Sequence, residues 1–256
     1  MKSTFAFLKK EFMGNFRSGK IFLIVGLFLL FGLMNPATAW VTPMLYDLMA
    51  EALEASGIVV GEYTVSAFDS WLQFFSNIPM ALIAFVLIYS GTFTSEYSSG
   101  TLVLILTKGL SRSKVLLAKA AMMLILWSLG YWISFAVTYF GTDLLWDNSI
   151  AEAIAPAGIF FWLFGVMIVC LCVFFSVVFK NYIGVLLGTG GSVCVMIILS
   201  IIPKVDRYIP FWLTNGMPIL YGTEELSEYT WAVIIAVAIC IVSILASIPV
   251  FNKKEI

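Results

Sequence analysis

Six long stretches without a charged residue constrain the fold of this chain more than any other feature. Each exceeds the roughly 20 residues that an α-helix needs to cross about 30 Å of hydrocarbon. Hydrophobic residues make up 61% of the 256 residues and charged ones only 11%, unlike the composition of soluble domains. The sequence therefore predicts an all-α polytopic membrane protein with six transmembrane helices. The six stretches are 21–46, 70–95, 120–142, 153–179, 181–203 and 229–252.

The chain is interpreted as a single transmembrane domain over residues 1–256. Its first part, residues 1–20, is predicted to be an amphipathic helix on the inner membrane surface, because four apolar residues share one helical face. The alternative is a frayed tail whose aromatic residues are placed by chance. The four residues are Phe5, Leu8, Phe12 and Phe16. The spans are placed at about 21–43, 71–94, 117–141, 154–179, 182–202 and 229–251.

The distribution of basic residues predicts the orientation. Six spans put both termini on one side, and this side then carries 12 of the 14 lysines and arginines. Only Lys204 and Arg207 fall on the other side. Cytoplasmic loops carry the Lys/Arg excess, so we expect both termini in the cytoplasm of a cell, most simply at a bacterial plasma membrane.

Two of the outer segments have structure of their own in this interpretation. Residues 44–57 show helical spacing of apolar residues and predict a short amphipathic helix that stops at Gly57. Residues 203–228 are too apolar for an ordinary loop, and Pro203, Pro210 and Pro218 prevent one continuous helix. They are interpreted either as broken helical pieces dipping into the outer interface or as an interfacial aromatic belt.

The residue types argue against catalysis within this chain. There is no histidine, and no charged residue lies deep in any span, although intramembrane acids, bases and ion sites usually require one. The Gly-rich run at 188–194 lacks the lysine of a phosphate-binding loop. We therefore expect no catalytic, cofactor-binding or metal-binding residues in this chain.

Three glycines in the fifth span form a face of small residues, which lets helix backbones approach closely in lipid. They are Gly184, Gly188 and Gly191. The face indicates either packing against another helix of the same chain or a seam with a second copy.

The inner loop between the second and third spans contains the short apolar run TLVLIL, residues 101–106. As a helix this run is apolar on all sides, and such a helix is normally enclosed. Ser98, Ser99 and Gly100 predict a turn or cap before it, and Gly109 breaks it afterwards. The run is interpreted either as a docking element for a cytoplasmic protein or as a surface turn that connects two spans.

The residues of this loop resemble the E…GTL…L…SR…K pattern of permeases of the ABC-2 class of ATP-binding-cassette transporters. In that family the pattern also lies between the second and third of six spans. The matching residues are Glu96, Gly100, Thr101, Leu102, Leu106, Ser111, Arg112 and Lys119. Family members often have proline after the apolar run, where this chain has Gly109 and Leu110.

The resemblance implies that the chain is half of an exporter. Two permease chains, identical or related, would form the pore, and each would dock one of two cytoplasmic ATPase subunits that hold ATP and Mg. The docking segment, called a coupling helix, would lie within 96–119 and insert Thr101, Leu102, Leu104 and Leu106 into a groove of the ATPase. Arg112 and Lys114 would meet acidic rim residues or lipid headgroups. The N-terminal helix would flank the dock, and spans one, two and five would border the path.

Apolar spans rich in Phe, Met and Trp favour an amphipathic or hydrophobic cargo such as a peptide toxin, bacteriocin or antibiotic. A non-transporting scaffold or sensor that docks a partner through 96–119 is the alternative, and an intramembrane enzyme is remote. Lipid is an expected partner, whereas nucleic acid is not.

Overall fold

The computed structural model describes residues 2–54, 64–100, 107 and 111–254. All regular elements within these ranges are helical, and six helical segments are long and apolar enough to cross a membrane. The predicted all-α architecture with six spans is therefore confirmed. The α-helices are α1 (Lys2–Arg17), α2 (Lys20–Glu54), α3 (Ala67–Tyr89), α4 (Gly91–Ser99), α5 (Arg112–Leu145), α6 (Ile154–Val178), α7 (Tyr182–Ser200), α8 (Met217–Leu220) and α9 (Thr230–Lys253).

The first span is part of a helix much longer than the membrane is thick. Helix α2 has 35 residues, which corresponds to about 52 Å at 1.5 Å per residue. The sequence predicts a separate outer helix from residue 44, but the structure continues the first span through Glu54. The expected stop at Gly57 lies outside the described residues.

Two prolines, Pro36 and Pro43, lie inside α2 without ending it. Pro36 is buried against α5 at Gly141, where an added Cβ would lie 2.9 Å from the proline ring. Pro36 cannot donate to the Gly32 carbonyl one turn earlier, and this carbonyl accepts a hydrogen bond of 3.2 Å from the Thr138 hydroxyl instead. Neighbouring helices and hydroxyl side chains commonly stabilise proline in transmembrane helices in this way.

Helix α6 is the centre of the bundle. Of the 18 most hydrophobic consecutive residues of α6, 67% are buried, whereas only 17% are buried in the corresponding stretches of spans five and six. The Tyr131 ring of α5 stacks on Phe161 of α6 at 6.1 Å, and its hydroxyl donates a hydrogen bond of 2.7 Å to the Gly158 carbonyl. Helices α7 and α9 consequently expose most of their surface to lipid or to another chain.

A buried amide network ties the first three spans together at membrane depth. Asn35 of α2 is 1% exposed and donates to the Thr138 hydroxyl of α5 at 2.9 Å. Its carbonyl oxygen accepts from the Asn77 amide of α3 at 3.0 Å. Thr138 in turn donates to the Gly32 carbonyl at 3.2 Å. Hydrogen bonds of this kind hold helices together in lipid.

The long outer segment before α9 is broken, as its prolines predict. It consists of α8 and short 3-10 helices over Asp206–Tyr208, Pro210–Thr214 and Leu226–Tyr229. Leu213, Ile219 and Tyr229 are buried. The segment therefore packs into the outer end of the bundle rather than extending into solvent.

Both ends of the described chain meet at one end of the bundle. Glu11 of α1 contacts Lys119 of α5, and Arg112 of α5 contacts the end of α9 at Phe251. We call this the basic end, because it is the end to which the sequence assigns 12 of the 14 basic residues.

Candidate functional site

The inner loop leaves the bundle through a defined helix cap. Helix α4 ends at Gly100, which has the left-handed backbone conformation (φ 65°) that glycine adopts most readily. Helix α5 begins at Arg112, where the Ser111 carbonyl accepts the amide hydrogen of Lys114 at 3.0 Å. The apolar run itself falls outside the described residues, so its contact with a partner stays a prediction. The docking residues affected are Thr101, Leu102, Leu104 and Leu106.

A buried group of three charges joins the two helices that flank this loop to the N-terminal helix. Lys119 of α5 is 2% exposed and lies 3.1 Å from Glu11 of α1 and 3.0 Å from Glu96 of α4. Its ammonium also lies 5.6 Å from the centroid of the Phe93 ring. We call Glu11, Lys119 and Glu96 the ion triad. A buried cation between two carboxylates resists separation, because removing one partner leaves uncompensated charge.

The N-terminal helix uses a protein-facing side that its pattern of apolar residues does not reveal. Phe7, Glu11 and Asn15 recur every four residues and face the bundle; Phe7 is 4% exposed, and Asn15 accepts a hydrogen bond of 3.3 Å from the Tyr89 hydroxyl. Phe12 and Phe16 are about half exposed. The helix therefore has one face on the protein and an apolar face free for lipid.

Leu8, predicted for the lipid-facing side, packs partly against the core. The side chain of Phe5 lies outside the described residues. The surface helix that the sequence predicts thus overlaps α1, but the residues that hold it to the bundle are different ones.

Two cations cap helix ends close to the loop. The Arg112 guanidinium donates to the carbonyls of Phe251 (3.1 Å), Asn252 (3.2 Å) and Lys254 at the end of α9. Lys254 donates to carbonyls at the end of α6, including Phe179 at 3.2 Å. Cations at helix C-termini interact favourably with the helix dipole. The start of α5 is thereby fastened to the ends of α6 and α9.

The other basic groups at this end differ in how accessible they are. Partial burial and the neighbouring Lys180 lower the pKa of Lys254 to about 8. This ammonium is therefore mostly charged at neutral pH and loses its charge as the pH rises above about 8. Lys114 is exposed and makes no ion pair with any described residue. The two cations expected at the rim of the dock therefore differ, since Arg112 binds carbonyls at the end of α9, whereas Lys114 is exposed and has no ion-pair partner in the described part of the chain.

An apolar cavity of about 530 Å³ lies between the spans and opens at the helix surface, where Ile83 and Leu87 are about half exposed. Its walls come from α3, α6, α7 and the 3-10 helix Pro210–Thr214, with Leu82, Phe164 and Val193 as typical lining residues. Cavities of this size and character suit a hydrophobic ligand, because there is almost nothing in the wall to bind water.

The glycine face of the fifth span divides into two parts. A Cβ on Gly188 would lie 2.5 Å from the Phe175 ring of α6, and one on Gly184 would lie 2.7 Å from the Phe179 ring. Apart from the backbone of its own helix, no described residue has an atom within 4 Å of a Cβ built on Gly191. Gly184 and Gly188 therefore have packing partners within the chain, while a seam at Gly191 with a second copy stays a prediction.

Sequence reasoning did not find Glu11 as a functional residue, because a single acidic residue among lysines looks like part of a solvated face. Lys119 was recognised only as a member of the motif. The available signal was its position, since it is the last charge before a span of 23 uncharged residues, 120–142. In the part of the chain that the structure describes, no three His, Cys, Asp or Glu residues are grouped to hold a metal ion.

The fold defines a multi-pass α-helical membrane protein. No family model matches the chain. It is 20% identical to an uncharacterized transmembrane protein of Bacillus subtilis (strain 168), YxlG, over 261 aligned residues that cover 100% of this chain and 99% of the relative. The similarity thus extends over the whole length of another membrane protein.

Proposed function

We propose that this chain is the permease subunit of an ATP-driven exporter of the ABC-2 class, energised by a separate cytoplasmic ATPase. The observation that carries the proposal is the ion triad. It links α1, which leads into the first span, to α4, which follows the second span, and to α5, which is the third span. A force applied to the loop at 101–110 would therefore reach the first three spans together. Such a link is what a permease without its own energy source requires.

The apolar cavity supports the proposed cargo class. It lies between the second, fourth and fifth spans and has room for a hydrophobic or amphipathic group. A scaffold that only holds a partner has no need of such a cavity. We therefore favour export of a hydrophobic or amphipathic molecule, such as a peptide toxin or antibiotic, over a purely structural role.

Docking and transmission can be tested separately. The chain is purified from its native host, and the co-purifying proteins are assayed for ATP hydrolysis. We expect an ATPase subunit to bind the unaltered protein and the triple variant Lys119→Met/Glu11→Gln/Glu96→Gln, which removes the triad without leaving an unpaired charge and keeps the docking run, but not Leu104→Asp. The ATPase rate of the complex should depend on the permease and should lose this dependence in the triple variant.

The matched control is Leu144→Asp, which places the same charge on an 86% exposed leucine at the opposite end of α5. It should retain both binding and coupling. Recovery of a partner with no ATPase activity would replace the exporter with the scaffold. Equal ATPase binding by the Leu104→Asp protein would remove the loop as the docking site.

A further inference from the structure

A small polar cavity lies beside the ion triad, between α1, the start of α2, α4 and α5. Its volume is about 240 Å³, and all its lining residues are polar, charged or glycine. Lys10 and Lys20 line it from α1 and α2, and Lys119 lines it from α5. The cavity differs from the apolar one in both position and chemistry.

The hydrogen bonds inside this cavity are incomplete. Both oxygens of Glu11 are engaged, one with Lys119 at 3.1 Å and the other with Lys10 at 3.6 Å. Glu96 uses one oxygen for Lys119, but its Oε2 is buried and has no hydrogen-bond partner among the described residues. The same holds for the buried hydroxyl of Thr92. A buried carboxylate oxygen without a donor is costly, so this position calls for a charged hydrogen-bond donor from a ligand.

The other half of the cavity calls for an anion. Lys20 makes no ion pair with a residue that the structure describes, and its ammonium lies 5.7 Å from the centroid of the Tyr89 ring. Lys10 is 57% exposed; its ammonium lies 3.6 Å from Glu11 and 5.0 Å from the centroid of the Phe7 ring. Two lysines with spare hydrogen-bond donors are well suited to a phosphate group at the inner surface of a membrane.

Two exposed aromatic rings lie at the turn between α1 and α2, close in sequence to Lys20. Phe16 and Phe22 are 50% and 60% exposed, and their ring centroids lie 4.9 Å apart on either side of the turn between α1 and α2. A ligand held at Lys20 could therefore lay hydrocarbon chains along these rings.

We propose that this cavity binds the headgroup of a phosphatidylethanolamine molecule of the inner leaflet. The phosphate would contact Lys10 and Lys20, and the primary ammonium would donate to Glu96 Oε2 and the Thr92 hydroxyl. The acyl chains would lie against Phe16 and Phe22. The site is independent of the exporter proposal, because it requires neither an ATPase partner nor an exported cargo.

Competition between lipids that differ in one group tests this site. Purified protein is incubated with equal amounts of phosphatidylethanolamine, phosphatidylcholine and phosphatidylglycerol, and bound lipid is counted by native mass spectrometry. Phosphatidylcholine has the same phosphate, but its quaternary ammonium cannot donate a hydrogen bond. We expect phosphatidylethanolamine to bind about tenfold more tightly, the ratio that one charged hydrogen bond provides.

Thr92→Val removes one of the two acceptors for the ammonium, and Lys20→Gln removes one of the two lysines for the phosphate; both leave the ion triad intact. Thr92→Val should reduce the preference for ethanolamine over choline, and Lys20→Gln should weaken binding of both lipids. Lys9→Gln is the control, since it removes an exposed lysine of α1 that does not line the cavity. Equal binding of ethanolamine and choline lipids, or preference for phosphatidylglycerol, would overturn the proposal. Displacement of bound lipid by free phosphoethanolamine would instead assign the cavity to a soluble ligand.

Discussion

Among single residues, Lys119 carries the largest structural consequence. It is almost fully buried, and its ammonium is the shared partner of Glu11 and Glu96. Without it, two carboxylates on different helices would face each other in a partly desolvated space. Like charges in such a position repel each other, which would weaken the contact between the helices that hold them.

Replacing this lysine should therefore destabilise the protein far more than replacing an exposed one. We expect Lys119→Met to cost about 3–5 kcal/mol of unfolding free energy, the usual effect of removing one partner from a buried ion pair. Lys114→Met, on the exposed side of the same helix, should cost less than about 1 kcal/mol. Thermal and denaturant unfolding in detergent measure both values.

Neutralising the carboxylates at the same time provides the internal check. Combining Lys119→Met with Glu11→Gln and Glu96→Gln should recover much of the lost stability, because no unpaired charge remains. If the triple variant is no more stable than Lys119→Met alone, the loss comes from packing and not from charge.

Some residues of the site could be identified from the sequence and others could not. Glu96, Gly100 and Lys119 could be selected because they match a family motif, and the role of Gly100 as a helix cap follows from glycine itself. Glu11 could not be selected, since its partner lies 108 positions away in the chain. Contacts between helices that are far apart in the sequence depend on how the helices pack. The pattern of apolar residues in a span does not show which other helix it contacts.

Among the helices, α7 is the one whose packing can be altered selectively. It is held to α6 through Gly188, where the Phe175 ring fills the space that a side chain would need. Three positions further on, Gly191 faces open space. The two glycines thus provide matched positions on one helix.

We expect Gly188→Ala to cost about 1–3 kcal/mol, because the added methyl group displaces the Phe175 ring. Adding Phe175→Leu to Gly188→Ala should restore part of this loss by making room, whereas Gly191→Ala should not lower the unfolding midpoint, because alanine favours the helix and meets no neighbour there. Unfolding in detergent compares these three variants with the unaltered protein. An unchanged midpoint for Gly188→Ala would mean that α7 does not pack on α6 in this way.

Helices were easier to predict than their ends. Six uncharged stretches were sufficient to find six spans, because a bilayer leaves few alternatives for a long apolar segment. The continuation of α2 through its prolines was not predictable, since whether a proline ends a transmembrane helix depends on the space and hydrogen-bond donors around it. The break in the segment before α9 was predictable, because each of its three prolines disfavours a regular helix and charged residues interrupt the segment.

For the whole molecule, the orientation in the membrane follows from the charges at the basic end. Lys114 is exposed at this end, and Glu225 is exposed in the outer segment at the opposite end. We expect Lys114 to lie in the cytoplasm and Glu225 to lie outside the cell.

Cysteine labelling tests this orientation directly. In a background with the four native cysteines replaced by alanine, Glu225→Cys should react with a membrane-impermeant maleimide in intact cells. Lys114→Cys should react only after the cells are permeabilised. The reverse pattern would invert the topology and place the loop at 101–110 beyond the reach of any cytoplasmic ATPase.

The length of α2 allows one rigid helix to transmit movement from one membrane surface to the other. The helix is joined to α1 by a two-residue turn at Ser18 and Gly19, and it extends about 52 Å to the opposite membrane surface. If it pivots near its middle, a tilt of about 10° displaces each tip by about 4–5 Å in opposite directions. A small displacement of the N-terminal helix would thus reappear at the outer surface as a movement about as large as a side chain.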